Sequence, residues 1–206
     1  MKMFKKIVAT VMAAAMSLAL LTACGGGSGS GASTKLASIF GSGKLWMDVT
    51  DVETNENQVT ATDGKKLYLA ETDPKDPKGV FEIWVQNGTA YISYGGAALK
   101  TTKYNGSPVS ELMEDYLKKM PSKETLAKVE IGKYTVNDVE YYAETIKDGD
   151  DTAIFCFNGN TPVYCVEKDK EGETIFKVNK LTSSFDESKL NPPTNVEFID
   201  ADKLGK

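Results

Sequence analysis

Apolar and polar residues alternate with a period of two over most of the chain from Lys44 to Leu181, and short turn sequences cut the alternation into strand-length pieces. Asn87-Gly88 separates Val80–Gln86 from Thr89–Tyr94. Both residue types tolerate a positive φ, so the pair predicts a two-residue hairpin loop. That register sets Val85 against Ala90, Ile83 against Ile92 and Phe81 against Tyr94, all on one face. Glu82, Gln86, Thr89 and Ser93 take the other face, with Trp84 opposite Tyr91. Asp63-Gly64 predicts a similar turn between Gln58–Thr62 and Lys65–Glu71. Asn137-Asp138 predicts a third, pairing Val136 with Val139 and Tyr134 with Tyr141. A meander follows: Thr152–Phe157, Val163–Lys168 and Thr174–Leu181, joined by polar turns. With Lys44–Val52 and Ala98–Tyr104 the total is about 10–11 strands, a mainly β (α+β) fold. The hairpin spacing predicts a curved antiparallel sheet or an incomplete β-barrel, with one or more covering helices.

Helical periodicity is confined to two places. Thr34 to Phe40 predicts a short helix with Leu36, Ile39 and Phe40 on one side and Gly41 as its stop. A longer helix is predicted from Ser107-Pro108, serine as N-cap and proline at the first helical position. Val109, Leu112, Met113, Tyr116, Leu117 and Met120 then form one apolar stripe, which Pro121 ends. Ser122 is placed to cap a further short turn through Ala127.

The N-terminus reads differently. Lys2, Lys5 and Lys6 precede an apolar run from Ile7 to Leu21, interrupted by Thr10 and Ser17 alone, and Gly25 to Ser33 are all small. A basic start, a short apolar segment and small residues before a cut describe a secretory signal. Leu21-Thr22-Ala23-Cys24 resembles the lipobox of bacterial lipoproteins. The resemblance implies removal of residues 1–23, a diacylglyceryl group on Cys24, and a protein held on the extracytoplasmic face of the cell membrane. Residues 24–33 then form a lipidated tether with a root-mean-square span of roughly 15–18 Å. A single β domain is expected over 34–206.

Composition narrows the chemistry. The chain has 24 lysines, no arginine, no histidine and 29 acidic residues. Loss of Lys2, Lys5 and Lys6 with the leader leaves 21 against 29, a net charge of −8. An acidic domain without arginine lacks the bidentate groups that favour phosphate and base edges, which argues against a nucleic-acid partner. Absent histidine removes the usual neutral-pH base and the commonest zinc ligand. No nucleophile elbow and no phosphate-binding glycine loop occurs, so no catalytic residue, cofactor or metal is assigned. Asp148, Asp150 and Asp151 lack the further oxygens of a calcium loop and read as a hairpin turn.

Cys156 and Cys165 flank Asn158–Pro162. A four-residue loop would set them directly opposite, as a cross-strand disulfide needs; a two-residue Gly159-Asn160 loop would set them on the diagonal. Two buried thiols fit the sequence equally well.

Taken in order, the Asp63-Gly64-Lys65-Lys66-Leu67-Tyr68 turn, the Gln86-to-Tyr91 hairpin, the helix, Val139–Glu144 leading into Phe155–Asn160, and Leu190-Asn191-Pro192-Pro193 before Phe198-Ile199-Asp200 resemble the LolA-like lipoprotein-carrier superfamily and its lipobox-bearing Gram-positive relatives. The resemblance implies an incomplete barrel with an apolar interior under covering helices, and a lipid or other hydrophobic ligand. Lining residues would be Phe81, Ile83, Val85, Ile92 and Tyr94 from the hairpin, and Leu112, Met113, Tyr116 and Met120 from the helix. The alternative function is a non-catalytic envelope scaffold built on the same sheet. The sequence assigns no protein partner.

Overall fold

The computed structural model describes residues 34–75, 79–104, 106–118 and 120–204. The leader, Cys24 and the tether lie outside them. Fourteen strands are formed: β1 Leu45–Asp51, β2 Asn57–Thr62, β3 Leu67–Thr72, β4 Val80–Gln86, β5 Thr89–Tyr94, β6 Ala97–Thr101, β7 Lys103–Tyr104, β8 Ser107–Pro108, β9 Glu130–Val136, β10 Val139–Asp148, β11 Asp151–Asn158, β12 Thr161–Asp169, β13 Gly172–Thr182 and β14 Ile199–Asp200. Among the described residues, helices α1 Lys35–Phe40, α2 Val109–Lys118 and α3 Lys123–Leu126 join these strands, with 3₁₀ turns at Glu187–Leu190 and Ala201–Lys203.

Twelve strands hydrogen-bond in the order β14-β6-β5-β4-β3-β2-β1-β13-β12-β11-β10-β9, with β7 and β8 as a separate ribbon. The described pairings are antiparallel except β14 against β6. The sheet is open, so the barrel alternative is corrected. Its two end strands explain why. β14 is two residues long, and β9 carries Glu130, Gly132 and Lys133 along an edge of exposed side chains, features that discourage further pairing.

Two compact units divide the chain: the segment ending at Ser42 with Lys118–Ile175, and Gly43–Leu117 with Phe176–Lys206. In the first, β9–β12 form a meander. Asn137 and Asp138 both adopt positive φ, at 50° and 63°, and set Val136 against Val139 and Tyr134 against Tyr141 as the sequence predicts. Val136, Ala143, Ile154, Cys156 and Val166 bury on one face, with Tyr141 and Tyr164 in edge contact beside them. The other face carries α1. Thr34 caps that helix by accepting from the Ala37 N–H at 3.1 Å, Leu36 and Phe40 are buried, and the Phe40 ring meets Phe155 edge-on at 6.0 Å. Ser122 caps α3 as expected, accepting from the Thr125 N–H at 3.1 Å.

In the second unit β1–β6 are successive hairpins, and β13 closes against β1. Asn87 and Gly88 take φ of 52° and 70°, and the predicted Val85–Ala90 and Ile83–Ile92 pairs form. Asp63-Gly64 is corrected: Thr62 pairs with Leu67, so the loop is Asp63 to Lys66. Asp63 Oδ1 accepts from the N–H groups of Lys65 and Lys66 at 2.8 and 2.7 Å, holding two extra residues in the turn. Ser107-Pro108 is also corrected. These residues pair with β7 as a short strand, and α2 starts at Val109, whose N–H donates to Thr102 O at 2.9 Å.

Candidate functional site: two faces of one sheet segment

The second unit presents two opposite faces built by period-two alternation. One row crosses the ladder as Trp46, Ala61, Tyr68, Trp84 and Tyr91. Ala61 is small, so the rings of Trp46 and Tyr68 meet over it at 6.0 Å, and Tyr68 meets Trp84 at 5.5 Å. The C-terminal segment lies on this face. Phe185 packs on Trp46 at 5.6 Å and Phe198 on Tyr91 at 5.2 Å, and Leu190 buries beside Trp46 and Ala61. Tyr68 donates to Glu82 Oε1 at 2.8 Å; burial and that carboxylate hold the phenol well above its ordinary range. The segment is pinned at its end by Asp202, which accepts from Thr101 Oγ1, Thr102 Oγ1 and Thr102 N at 2.7, 2.7 and 2.9 Å. These bonds lower its carboxyl to about 2.

The opposite face carries the predicted hairpin residues Phe81, Ile83, Val85, Ile92 and Tyr94 together. Its burial is uneven. The row nearest the Asn87-Gly88 turn, Leu67, Val85 and Ala90, is buried throughout. The next row runs Leu69, Ile83, Ile92, Leu99 and Ile199 across β3, β4, β5, β6 and β14. Ile83 is 1% exposed and Ile199 55%, with Ile92 and Leu99 half-buried between them. In the third row Glu71 stands across from Phe81, whose ring lies 6.0 Å from Tyr94, and Tyr94 is 49% exposed. An apolar corner rimmed by Tyr94 and Ile199 results, with Glu71 at its border. Burial raises the Glu71 carboxyl above its ordinary range, and Glu56 and Asp73 add to the shift.

Sequence reasoning missed Leu99, Ile199 and Glu71 here. Glu71 was legible, because it alternates with Leu67 and Leu69. Ile199 was not, because its place depends on a parallel pairing made by a two-residue strand.

The helix residues divide. On α2, Val109 and Tyr116 are buried and Leu112, Met113 and Leu117 half-buried, while Ser110, Glu111, Glu114 and Asp115 are exposed. Met120 lies beyond the end of α2 at Lys118 and is not on its stripe.

Cys156 and Cys165 are free and buried. Asn158 pairs with Thr161, so the loop is Gly159-Asn160, and a register shift between Cys156 and Phe157 sets Phe155 against Cys165 and Cys156 against Tyr164. Directly paired residues share a face, so the two thiols fall on opposite faces of the hairpin. This is not the geometry of a cross-strand bond. Burial raises both thiols, that of Cys156 to about 11, which makes each a poor nucleophile.

Two glutamates in the first unit are buried. Glu144, at 0% exposure, accepts from the N–H groups of Lys35 and Leu36, both at 2.8 Å, and from Tyr142 Oη at 2.9 Å. The Lys35 ammonium in turn contacts Gly159 O and sits 4.3 Å from the Tyr142 ring centre. Glu167 is nearly as buried, but its Oε2 has no hydrogen-bond partner. Among the described residues, no group of three or more histidine, cysteine or acidic residues is placed to hold a metal.

No protein-family model matches the chain, and no curated protein matches it. Among solved structures, the chain is similar to LprF from Mycobacterium bovis, with 12% identity over 75% of this chain and 91% of that one, at a TM-score of 0.42. It is similar to the Mycobacterium tuberculosis lipoprotein LppX, with 10% identity over 74% of this chain and 91% of that one, at a TM-score of 0.38. It is also similar to MucB, with 10% identity over 80% of this chain and 62% of that one, at a TM-score of 0.34.

Proposed function

We propose that this chain is a lipid-anchored protein of the extracytoplasmic membrane face that binds a lipid or other apolar ligand without chemical turnover. The observation that carries this reading is the fall in burial from Ile83 to Ile199 along one apolar row of β4, β5, β6 and β14. The opposite face of β4 and β5 is covered by Phe198, which packs on Trp84 and Tyr91, whereas this row is left partly uncovered. Contiguous exposed apolar surface on a folded chain commonly marks a ligand or partner site. The leader, Leu21-Thr22-Ala23-Cys24 and the Gly/Ser tether support the anchored location. The test is native mass spectrometry of the mature chain, exported by its own host through a leader lacking the cysteine. A co-purified lipid mass, displaced by an uncharged fluorescent hydrocarbon probe, is the expected result. A bare chain that binds no probe at micromolar concentration overturns the reading and leaves the scaffold role.

A further inference from the structure

The two faces of the second unit differ in their charged strand positions: on the face of the C-terminal segment Asp48, Glu82 and Asp200 are matched by Lys100, Lys177 and Lys180, whereas the other face carries carboxylates alone. On the face with the apolar corner, the register places Leu45, Met47, Val49 and Asp51 from β1, Gln58, Thr60 and Thr62 from β2, and Leu67, Leu69 and Glu71 from β3. The positions from β4, β5, β6, β13 and β14 on this face are uncharged. Its charged strand positions are therefore Asp51 and Glu71, both carboxylates. The lysines of these strands, Lys100, Lys177 and Lys180, pair with Tyr91, Thr50 and Asp48 on the other face.

The two carboxylates are not equivalent. Asp51 Oδ1 accepts from the N–H groups of Glu53 and Thr54 at 2.7 and 2.9 Å. No donor among the described residues reaches the Glu71 carboxyl. Glu71 is half-buried, stands directly across from Phe81, and feels Glu56 and Asp73 as like charges. An apolar chain laid along Phe81, Ile92, Leu99 and Ile199 would bring its polar end beside this group. Among the described strand positions of this face, an anionic end would meet only carboxylates. A cationic end would pair with a carboxylate already partly stripped of water, where ionic attraction is stronger than at an open surface.

We infer that the ligand of the apolar corner is an amphiphile with a cationic end, seated at Glu71 with its hydrocarbon chain along Phe81, Ile92, Leu99 and Ile199. This rests on the apolar-ligand reading and names its chemical class.

The test compares three probes of equal chain length, dodecyltrimethylammonium, dodecyl sulfate and dodecyl maltoside, all below their micellar concentrations. Calorimetry of the mature non-lipidated chain reads their affinities. The ammonium should bind at least about tenfold tighter than the sulfate at low salt, and the ratio should shrink in about 0.5 M salt as screening sets in. Glu71→Lys should bring the ratio to one or invert it. Equal affinity for ammonium and sulfate in the wild type, or a ratio indifferent to Glu71→Lys, overturns this inference while apolar binding stands. Failure of all three probes to bind overturns both readings.

Discussion

Glu144 Oε2 accepts the backbone N–H of Leu36 at 2.8 Å, joining residues 108 apart in the chain. Glu144 Oε1 takes the Lys35 N–H and the Tyr142 hydroxyl. A helix of six residues is too short to hold itself in water. Its place depends on this carboxylate and on Leu36 and Phe40. Glu144→Ala would leave one buried donor, the Leu36 N–H, and two part-buried donors without an acceptor. An unsatisfied buried donor costs about 1–3 kcal/mol, so urea unfolding should show a loss of at least about 1–3 kcal/mol. Amide exchange at Leu36 should accelerate in parallel. A loss under about 0.5 kcal/mol, the surface range, would place α1 elsewhere.

Glu167 should behave in the opposite sense. Its carboxyl is held well above the ordinary value of 4.5, first by burial and then by the charges of Asp169 and Asp151. A folded-state value above the unfolded one means that the native chain binds the extra proton. Stability is then fully present below about pH 4.5 and falls as pH rises towards the folded-state value. Glu167→Gln removes that dependence. The variant should match the wild type near pH 4 and exceed it at pH 7, as read from urea midpoints. A wild-type advantage that grows with pH would contradict the assignment.

Ile83 and Ile199 share a row but not a role. Ile83→Ala removes a fully buried side chain and should cost about 2–5 kcal/mol. Ile199→Ala, at an exposed edge, should change stability by less than about 0.5 kcal/mol. It should nevertheless weaken binding of an uncharged fluorescent hydrocarbon probe several-fold. Equal probe affinity in Ile199→Ala and wild type would take the edge of the row out of the site.

Asp202 holds β14 through Thr101 and Thr102, and its carboxyl is lowered from 3.8 to about 2 by those bonds. The contribution is therefore complete above about pH 4 and is lost as pH falls through about 2. Tyrosine and tryptophan fluorescence of the C-terminal face should stay native down to about pH 3 in the wild type. Asp202→Ala should show, at pH 7, the faster exchange of β6 amides that wild type shows only in strong acid.

Cys24→Ala should leave the protein either unprocessed or released from the membrane. Fractionation and blotting decide it. Unchanged size and unchanged membrane retention would remove the lipid anchor from the account.

Turn chemistry carried much of the fold into view. Asn87-Gly88 and Asn137-Asp138 need positive φ at both positions, and few residues supply it, so their registers were legible in the sequence. Asp63-Gly64 looked the same but closed a longer loop, because the Asp63 side chain substitutes for a backbone partner. The Cys156–Cys165 geometry turned on a bulge beside Phe157, which no residue type announces. Glu144 and Glu167 are alike in sequence, each an acid within a strand. Only the location of Lys35, Leu36 and Tyr142 satisfies one and not the other. The apolar corner was half legible: Phe81, Ile92 and Tyr94 follow from one hairpin, whereas Leu99 needed the next hairpin and Ile199 a parallel strand from the far end of the chain.

Met47 of β1 pairs with Leu181 of β13, and β14 joins β6 from residues close to the C-terminus. During synthesis or threading through a translocation pore, the hairpins of β1–β6 can zip early, since each closes locally. β1 must wait with one edge open until β13 has emerged. Closing so long a loop is slow, and the waiting edge is a hazard for the nascent chain. A stall or truncation before Leu181 would thus release a species primed to pair with its neighbours, which makes the emergence of β13 the committing step of its biogenesis.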